Sequence, residues 1–316
     1  MSAVVDVLLP GLHTTVQDLG RWGHQAEGIS VSGPMDPFSH RLANALVGNP
    51  RSAALLEVTL SGPALQFHDE RRIAVAGASF DLSVDGHAVQ ASTCVTVFAG
   101  SVLRVGARRH GARAYVAVSG GFDVALLLGS RATHVGTGMG GWHGRALSRG
   151  DRLPLGMATV APRRRIDGAN ALALAPVDGP RVVRVLAGPQ DDRFDAAALE
   201  SLVSAPYHVS VDSDRVGYRL EGARLAHRAG ADIISDATPV GTLQVPLSGQ
   251  PVLLMADRQT TGGYPKLATV ISADIGVAGQ AAPGDWLRFR MCSQIEACAA
   301  LVAIERRLLA VEGDAV

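Results

Sequence analysis

The sequence of 316 residues is almost without lysine. Arginine occurs 28 times and lysine once, at Lys266. Arginine is a planar, permanently charged fork, whereas lysine is a compact point charge whose pKa shifts readily on burial. A composition that uses arginine wherever arginine suffices leaves lysine where a compact ammonium group is required. We therefore expect a functional role for Lys266, against the alternative that the last lysine stands there by chance.

Cysteine is scarce, and a net charge of either sign is missing. Cys94, Cys292 and Cys298 are an odd number at spacings that match neither a disulfide framework nor a zinc site, which favours a reducing compartment. Lys+Arg and Asp+Glu both total 29, so no overall field attracts nucleic acid or an anionic membrane. The ten histidines show no HxH or HExxH spacing. We predict no metal site.

Long hydrophobic runs are also missing. Nowhere do about 18 apolar residues follow one another, so we expect no membrane span. The first residues, MSAVVDVLLPGLHTT, show no basic leader before the apolar stretch, and we expect a cytoplasmic protein. Hydrophobic residues make up 47% and charged residues 18% of the chain, which indicates a globular protein. At ~100–200 residues per domain, we expect two domains.

Most of the sequence alternates short stretches rich in β-branched residues with glycine-containing turns. This pattern is typical of antiparallel β-structure of the barrel or sandwich type. The clearest predicted strands lie at 71–86, 94–106 and 113–121.

Three segments have helical periodicity and end signals instead, and we predict helices at 36–49, 189–204 and 293–313. The first begins with Asp36 as the N-cap and Pro37 in the first turn. A stretch near 160–180 combines basic residues, proline and glycine without any sustained period. We place a domain boundary there, between a domain at 1–175 and a second at 176–316 that ends in the terminal helix.

The segment VGTGMGG at 135–141 has the glycine spacing of a dinucleotide fingerprint. That fingerprint requires a helix to begin at its last glycine, whereas WHGRALSRGD follows here without a helical period. We reject the dinucleotide interpretation, and a glycine-rich loop lining a site stays open. Neither a Walker-type phosphate loop nor a GxSxG elbow occurs in the sequence.

Two polar segments are candidate sites with structural alternatives. In 14–36, side chains including Gln17, Asp18, Arg21 and Asp36 lie among glycines and prolines, as in functional loops. The alternative is a turn salt bridge between Asp18 and Arg21, with Asp36 used only as a cap.

In the second segment, 213–222, two arginines could clamp an anion through paired donors, or they could pair with neighbouring carboxylates at the surface. Its candidate residues are Arg215, Tyr218, Arg219 and Glu221.

The stretch DRQTTGGYPK at 257–266 lies between two apolar runs, VLLMA and LATVI. Gly262 and Gly263 would permit positive φ and close approach of a ligand. A hairpin tip usually has two to five residues, whereas this connection has about ten. Its length and Lys266 favour a site at a barrel mouth over a polar hairpin tip.

The segments TVQDLGRWG, SGPMD, ANALVGN, LEVTLSGPAL, AVSGGFDV, LGSRAT, GYRLEG, PGDWLRF and the long block 241–285 together resemble one family. This is the biotin-dependent carboxyltransferase-like family, which includes the 5-oxoprolinase C subunit, also called allophanate hydrolase subunit 2 or the antagonist of the sporulation kinase inhibitor. The resemblance implies a mostly β protein with a few helices and two cyclophilin-like β-barrel domains. It also implies a related partner subunit that is similar to allophanate hydrolase subunit 1.

The resemblance implies a subunit of an ATP-dependent 5-oxoprolinase that converts 5-oxoproline to glutamate, together with an amidohydrolase-like third subunit. ATP would be used at the level of the complex. Two alternatives are a carboxyltransferase component for urea or amide substrates and a non-catalytic antagonist that binds its partner. The single lysine lies in YPKLA, without a biotinyl-lysine context, so we expect no covalent biotin on this chain.

By resemblance, the catalytic residues would be Asp18, Asp257, Arg258 and Lys266. Lys266 and Arg258 would stabilise negative charge on an amide oxygen or a phosphoryl group, and the two aspartates would orient donors or accept a proton. Gln259, Thr260 and Thr261 would position a planar amide. The substrate-binding set is Gln17, Arg21, Asp36, Arg215, Tyr218, Arg219, Gln244, Gln259, Thr260, Thr261, Gly262, Gly263 and Tyr264.

Two positions depart from the family pattern. The family often reads SNRMG where this chain has SDRVG at 213–217, which replaces an amide by a carboxylate next to Arg215. It often reads SEG where Ser235, Asp236 and Ala237 stand, which loses a glycine.

Overall fold

The computed structural model describes residues 3–158, 179–195, 197–228 and 230–312. The chain forms two compact units. The sheet unit comprises Met1–Arg21, Ser32–Pro176 and Arg306–Val316, and the barrel unit comprises Trp22–Val31 and Val177–Glu305. The predicted boundary at 175/176 lies outside the described residues, and the division into domains at that point stays a prediction. In the described ranges, no helix has the length and apolarity needed to cross a bilayer.

The sheet unit is built on a curled antiparallel sheet with nine strands. They are β1 (Val4–Leu9), β2 (His13–Gln17), β3 (Leu55–Thr59), β4 (Ala64–Phe67), β5 (Arg71–Val84), β6 (His87–Ala88), β7 (Val95–Val97), β8 (Val102–Val118) and β9 (Arg152–Pro154). The order is β2-β3-β8-β4-β1-β9, and β5 pairs with β6, β7 and β8. The mostly β class predicted from the sequence is confirmed, whereas the cyclophilin-like character stays a prediction.

Strand β8 corrects one sequence prediction. Separate strands were expected at 94–106 and 113–121, but β8 continues through the glycines between them. Its pairing with β5 shifts register between Gly77 and Leu82. Such bulges bend a strand and increase its twist, so one strand can curl around the core where the sequence predicts an end. Its alternate side chains, among them Leu103 and Val116, enter the apolar core of this unit.

Helix α1 (Pro37–Val47) begins and ends as the sequence predicts. The Asp36 carboxylate accepts a hydrogen bond of 3.1 Å from the backbone N–H of Ser39, and Pro37 occupies the first position. Gly48 ends the helix in a left-handed conformation with φ 77°. The apolar face of α1 packs on the sheet.

The barrel unit contains a closed barrel of seven strands in the order β10-β17-β14-β15-β12-β11-β18. Strands β10 and β18 are parallel, and the other neighbours are antiparallel. Strands β13 and β16 form a two-stranded ladder outside the barrel. The strands of this unit are β10 (Arg181–Ala187), β11 (Tyr207–Val209), β12 (Gly217–Glu221), β13 (Asp236–Ala237), β14 (Thr242–Gln244), β15 (Val252–Leu254), β16 (Thr261–Gly262), β17 (Lys266–Val270) and β18 (Trp286–Met291).

Strand alternation sorts the barrel side chains into an inner and an outer face. Tyr218 on β12 pairs with Leu253 on β15, which pairs with Leu243 on β14. All three are buried and fill the interior. Because successive side chains point to opposite faces, the adjacent row with Arg219 and Gln244 lies on the outer face.

The helix predicted at 189–204 is only partly present. A 3-10 turn covers Asp191–Arg193, and α2 (Ala198–Ser204) begins later. Between them Phe194 is extended, with φ −109° and ψ 161°, and its ring packs 4.9 Å from that of His227. The aspartates near the start of the predicted segment are typical of a helix N-terminus. The burial of Phe194, however, goes with an extended backbone at that residue. A further short helix, α3 (Ile275–Gly279), was not predicted.

The terminal helix α4 (Gln294–Glu312) agrees with the prediction of 293–313 within the described residues. The Ser293 hydroxyl accepts a hydrogen bond of 3.1 Å from the N–H of the third helical residue, as expected of a cap. The predicted apolar stripe is buried only in part, because Leu308 is covered while Ile295 is 83% exposed.

Candidate functional site

The 257–265 loop of the barrel unit is held down along its length. Its residues in β16 pair with β13, where Asp236 faces Gly262 and Ala237 faces Thr261. The N–H of Ile233 donates a hydrogen bond of 2.9 Å to the carbonyl of Gly263. The connection is therefore an ordered layer on the outside of the barrel. This geometry favours the site interpretation over a polar hairpin tip.

Lys266 begins β17 directly after this loop, and its side chain is buried. The residue is 1% exposed, and Nζ donates to Asp236 Oδ2 at 2.9 Å and to Gln190 Oε1 at 3.2 Å. Gln190 Nε2 also donates to Asp236 Oδ2 at 3.2 Å, which closes a ring of three side chains. Burying an ammonium group is costly unless its donors are hydrogen-bonded, and these two acceptors engage two of its three N–H groups.

The Asp236 carboxylate that pairs with Lys266 faces solvent. The side chain of Asp236 is 52% exposed, while that of Lys266 is 1% exposed. The hydrogen bond from Lys266, together with the backbone N–H of Ala237, lowers the pKa of Asp236 below its usual value. The ammonium group therefore lies beneath a carboxylate that stays ionised at neutral pH.

Asp257 and Arg215 form a buried ion pair. Arg215 Nε and Nη2 donate to the two oxygens of Asp257 at 2.8 and 3.1 Å, and both residues are buried. The sequence offered anion clamping or surface pairing for Arg215, and the structure shows pairing with a carboxylate of the loop. This paired, two-bond geometry fixes the start of the 257–265 loop against the end of the 213–217 turn.

Arg258 is buried beside that pair and has a different environment. Its Nε donates to the Thr238 carbonyl at 2.6 Å and its Nη1 to the Met255 carbonyl at 3.3 Å. Among the described residues, no carboxylate oxygen lies within 4.0 Å of the Arg258 guanidinium, which is the limit for an ion pair. Burial lowers the pKa of Arg258, and the charge of Asp257 opposes this. The guanidinium is thus hydrogen-bonded to backbone carbonyls, while the nearby charge of Asp257 also stabilises the cation.

Gln244 lies on the outer barrel face under the same loop. It is 3% exposed, and its Oε1 accepts a hydrogen bond of 3.2 Å from Gln259 Nε2. Its Nε2 is buried and has no hydrogen-bond partner in the described part of the chain. A Cβ at Gly262 would lie 2.4 Å from this Nε2. Gly262 therefore provides room for the amide of Gln244.

This explains the two glycines differently from the sequence prediction. Neither Gly262 nor Gly263 has a positive φ, so that expectation was wrong. Gly262 is needed because of its close approach to Gln244. At Gly263 a Cβ would meet its nearest atom at 3.5 Å, which is ordinary contact.

A cleft of about 710 Å³ opens beside Gln244 on the outer face of β12, β14 and β15. Of the predicted substrate-binding residues, Arg219, Gln244, Gln259 and Tyr264 line it. Tyr218 lies on the inner face instead, where its hydroxyl donates to the Ala281 carbonyl at 3.2 Å. Because neighbouring residues of a strand point to opposite faces, the sequence could have predicted that Tyr218 and Arg219 lie on different sides of β12.

The two threonines of the loop do not line this cleft. Thr261 is exposed on β16, and the Thr260 carbonyl accepts a hydrogen bond of 3.1 Å from Thr238 N. The Thr238 hydroxyl donates to the carbonyl of Gln259. These contacts shape the loop backbone.

In the sheet unit, Gln17 and Asp18 fasten a neighbouring loop. Asp18 Oδ1 accepts from the Ser130 hydroxyl at 2.6 Å and from Gly20 N at 2.9 Å. Gln17 Nε2 donates to the Thr133 carbonyl at 3.1 Å, while its buried Oε1 has no partner among the described residues. The carboxylate is occupied by structural donors.

Arg21 packs beneath the glycine-rich segment. It is 1% exposed and donates to the carbonyls of Leu127 and Ala132, each at 2.9 Å. A Cβ at Gly140 would lie 2.5 Å from Arg21 Nη2 and 2.2 Å from the Ala132 carbonyl oxygen. Gly140 thus allows close packing of this segment on Arg21. The segment forms a 3-10 turn, and no helix follows it up to residue 158.

His40 and Asp36 complete the buried polar set of this unit. His40 is fully buried beside the Gln17 carbonyl at 3.3 Å, and burial lowers its pKa to about 4. Asp36 serves as the N-cap of α1, as the structural alternative predicted, and its backbone N–H donates to the Tyr115 hydroxyl at 2.7 Å. Sequence analysis did not single out His40.

The family model of the carboxyltransferase domain, subdomain A and B, matches residues 27–291 of this chain. The chain belongs to this carboxyltransferase family.

Individual relatives agree with this assignment. The chain is 37% identical over 294 residues to the 5-oxoprolinase C subunit of Escherichia coli (strain K12), covering 93% of both chains. It is 35% identical to the 5-oxoprolinase C subunit of Haemophilus influenzae, again covering 93% of each. The crystal structure of the Kluyveromyces lactis urea carboxylase superimposes with a TM-score of 0.93 at 30% identity, covering 98% of this chain and 29% of that chain.

Covalent biotin does not fit the residues of this carboxyltransferase-family chain. Biotin is attached to a lysine ammonium group that an attaching enzyme must reach, and the only lysine of the sequence is Lys266. Its Nζ is engaged by Asp236 and Gln190 inside the barrel unit.

Sequence reasoning missed Gln190 and Asp236, the two residues that hold Lys266. Asp236 stands where the family pattern SEG has its carboxylate, so the pattern contained a signal for this residue. Gln190 follows β10 in a turn without any motif. Only the pairing of β13 with β16 brings Asp236 to Lys266.

Proposed function

We propose that this chain is a subunit of an ATP-dependent 5-oxoprolinase complex that converts 5-oxoproline to glutamate. We further propose that this chain contributes to ring opening through its barrel unit, at the cleft and at Lys266 with its partners Asp236 and Gln190.

The observation that carries this proposal is the buried ammonium of Lys266 below an ordered loop in a chain that is similar, over 93% of both lengths, to two 5-oxoprolinase C subunits. A lone lysine kept inside a network of acceptors, in a chain with 28 arginines, indicates a need for a compact cation. Opening a lactam develops negative charge on its carbonyl oxygen, which such a preorganised cation stabilises.

In this reaction water adds to the lactam carbonyl carbon, the ring C–N bond breaks and the nitrogen takes up a proton. Lys266 and Arg258 are proposed to stabilise the negative charge. Arg258 suits this role because its guanidinium has carbonyl but not carboxylate partners among the described residues. An approaching anion would not have to displace a protein carboxylate.

The hydrogen bonds of Asp18 and Asp257 fit one of the two roles expected for them, which is to orient donors. Both oxygens of Asp257 accept from Arg215, and Asp18 accepts from Ser130 and a backbone N–H. A carboxylate engaged in this way holds a loop in place. We therefore propose a positioning role for both.

ATP and the partners belong to the complex in this proposal. A related partner subunit and an amidohydrolase-like third subunit would complete the activity, and ATP would be hydrolysed by the assembled complex. The proposal assigns no nucleotide contact to residues of this chain.

The test is glutamate formation from 5-oxoproline by this chain purified with its co-expressed partner subunits. We expect activity that requires ATP, is absent when this chain is omitted, and falls by about 100-fold or more in Lys266→Met. Arg149→Gln, an exposed arginine of the sheet unit, is the matched control and should retain full activity. A melting temperature measured for each variant separates loss of function from loss of fold. Full activity of a folded Lys266→Met variant would contradict the role of the ammonium group.

A second candidate is a carboxyltransferase component acting on urea, because the fold superimposes on urea carboxylase with a TM-score of 0.93. Carboxybiotin would then arrive on another protein. The two functions separate in one experiment with the same complex: ATP-dependent carboxylation of urea in the presence of a biotin carrier, without glutamate from 5-oxoproline, favours the second. If the subunits associate but neither product forms, the non-catalytic antagonist is favoured.

A further inference from the structure

Three strands of the barrel place two polar side chains on either side of one apolar residue in the cleft. Arg219 on β12 and Gln244 on β14 are both register partners of Val252 on β15. Directly opposite residues in antiparallel strands point to the same face, and all three line the cleft. With neighbouring strands about 4.8 Å apart, the Cα atoms of Arg219 and Gln244 are separated by about 10 Å.

Gln244 supplies a donor whose direction is fixed. Its carbonyl oxygen is engaged by Gln259 Nε2 at 3.2 Å, so the amide nitrogen is the free end of the group. This nitrogen is buried without a partner in the described residues, and leaving a buried donor unsatisfied carries a desolvation cost. A carbonyl oxygen placed in the cleft would recover that cost.

Of the three carboxylates that line the cleft with Arg219, Asp214 and Glu221 have other partners, and Asp212 lies more than 4.0 Å from the guanidinium. Asp214 Oδ1 accepts from two backbone N–H groups of the following turn at 2.8 and 3.2 Å, and Glu221 contacts His208 at 3.3 Å. No carboxylate of the described residues lies within 4.0 Å of the Arg219 guanidinium, which is exposed in the cleft. The guanidinium can therefore pair with a carboxylate from a ligand.

We propose that this row is a specificity site for a small lactam or amide that carries a carboxylate. Gln244 Nε2 donates to the ligand's carbonyl oxygen, Arg219 pairs with its carboxylate, and Val252 contacts the apolar ring between them. The inference rests on the proposed function, because 5-oxoproline is the ligand of this class that the reaction uses. It deepens that function by assigning recognition of the carboxylate to Arg219, so a neutral amide such as urea uses only half of the site.

The test compares two ligands that differ only in the carboxylate. Binding of 5-oxoproline and of 2-pyrrolidinone is measured by titration calorimetry with this chain in complex with its co-expressed partner subunits. We expect the wild-type complex to bind 5-oxoproline about tenfold more tightly, the effect of one charge-assisted pair. Arg219→Gln should remove this preference without changing the affinity for 2-pyrrolidinone, and Gln244→Met should weaken both ligands. Arg149→Gln, an exposed arginine outside the cleft, should change neither.

The outcomes separate the inference from the proposed function. If the Arg219→Gln complex still prefers 5-oxoproline, or binds both ligands more weakly to the same extent, Arg219 does not recognise the carboxylate. Glutamate formation by that variant at an unchanged KM overturns it also, while leaving the proposed function intact. Preferential binding of 5-oxoproline that depends on Arg219, in a wild-type complex that forms no glutamate, supports the specificity site and overturns the function.

Discussion

Asp236 and Gly262 face each other in the two-stranded ladder outside the barrel, and each contacts a different buried side chain. Asp236 accepts a hydrogen bond from Lys266, whereas Gly262 leaves the space that the amide of Gln244 occupies. Lys266 and Gln244 are themselves register partners on β17 and β14. The ladder therefore couples the ammonium group and the amide of the cleft to one loop layer.

The first prediction uses the single lysine as a probe. A chain labelled with 15N-lysine has only one side-chain ammonium signal, because Lys266 is the only lysine. In wild type its protons should exchange slowly with water, since Nζ is buried and bonded to Asp236 and Gln190. Asp236→Ala should accelerate this exchange by about tenfold, measured by NMR.

Asp232→Ala is the matched control, since Asp232 is an exposed carboxylate of the same segment, and it should leave the exchange rate unchanged. Acid should weaken the same contact. The pKa of Asp236 is lowered in the folded protein, so its contact with Lys266 is present above the usual carboxyl range and is lost as pH falls through the lowered value. An exchange rate unaffected by Asp236→Ala would show that the carboxylate does not hold the ammonium group.

The second prediction compares two adjacent glycines. Gly262→Ala places a Cβ 2.4 Å from Gln244 Nε2 and must displace that flexible amide, whereas Gly263→Ala meets its nearest atom at 3.5 Å. We expect Gly262→Ala to raise KM for 5-oxoproline severalfold with little change in melting temperature, and Gly263→Ala to behave as wild type. Equal effects of the two substitutions would rule out the role assigned to the Gln244 amide.

The third prediction concerns the buried pair of Arg215 and Asp257. Arg215→Met leaves the Asp257 carboxylate buried without its two donors, so we expect a loss of unfolding free energy on the order of 3–5 kcal/mol. Urea denaturation of the purified chain measures this loss. The double variant Arg215→Met with Asp257→Leu should recover part of it, because it leaves no unpaired charge. A single variant as stable as wild type would contradict the structural role.

The fourth prediction is a pH dependence of stability caused by His40. Burial lowers its pKa from 6.5 to about 4, although the charges of Asp18 and Glu57 oppose this. The unfolded chain binds a proton on His40 below pH 6.5 and the folded chain does not, so stability is fully present above that pH and declines as pH falls towards 4. The decline attributable to His40 is on the order of 3 kcal/mol.

Urea midpoints at pH 7.5, 5.5 and 4.5 for wild type and His40→Gln check this. The variant should be less stable at pH 7.5 but should depend less on pH over this range. Parallel curves for the two proteins would mean that His40 does not titrate between the folded and unfolded states as described.

The fifth prediction separates two neighbours on β12. Tyr218→Phe removes hydroxyl contacts inside the barrel and should cost about 1 kcal/mol of stability without changing KM. Arg219→Gln, on the outer face, should leave the melting temperature unchanged. A raised KM in folded Tyr218→Phe would return Tyr218 to the substrate-binding set.

Much of the fold was predictable where local chemistry decides it. Asp36, Pro37 and Gly48 define α1 through capping and φ preferences that act within a few residues. The helix predicted at 189–204 failed in its first half because burial of Phe194 against His227, which is distant in sequence, requires extended backbone. The predicted break before residue 113 failed for a similar reason, since pairing with β5 carries β8 through its glycines.

For the candidate site, the chemical inventory could be read from the sequence: one lysine in the whole chain, a long polar connection after an apolar run, and two arginines in the polar segment 213–222. Which of these residues act together depends on how the strands pair. The register of three barrel strands placed Arg219 and Gln244 on one outer face and Tyr218 inside, and the β13–β16 ladder brought Asp236 to Lys266. Strand pairing joins residues that are distant along the chain, so a hydrogen-bond partner is fixed by register and not by sequence spacing.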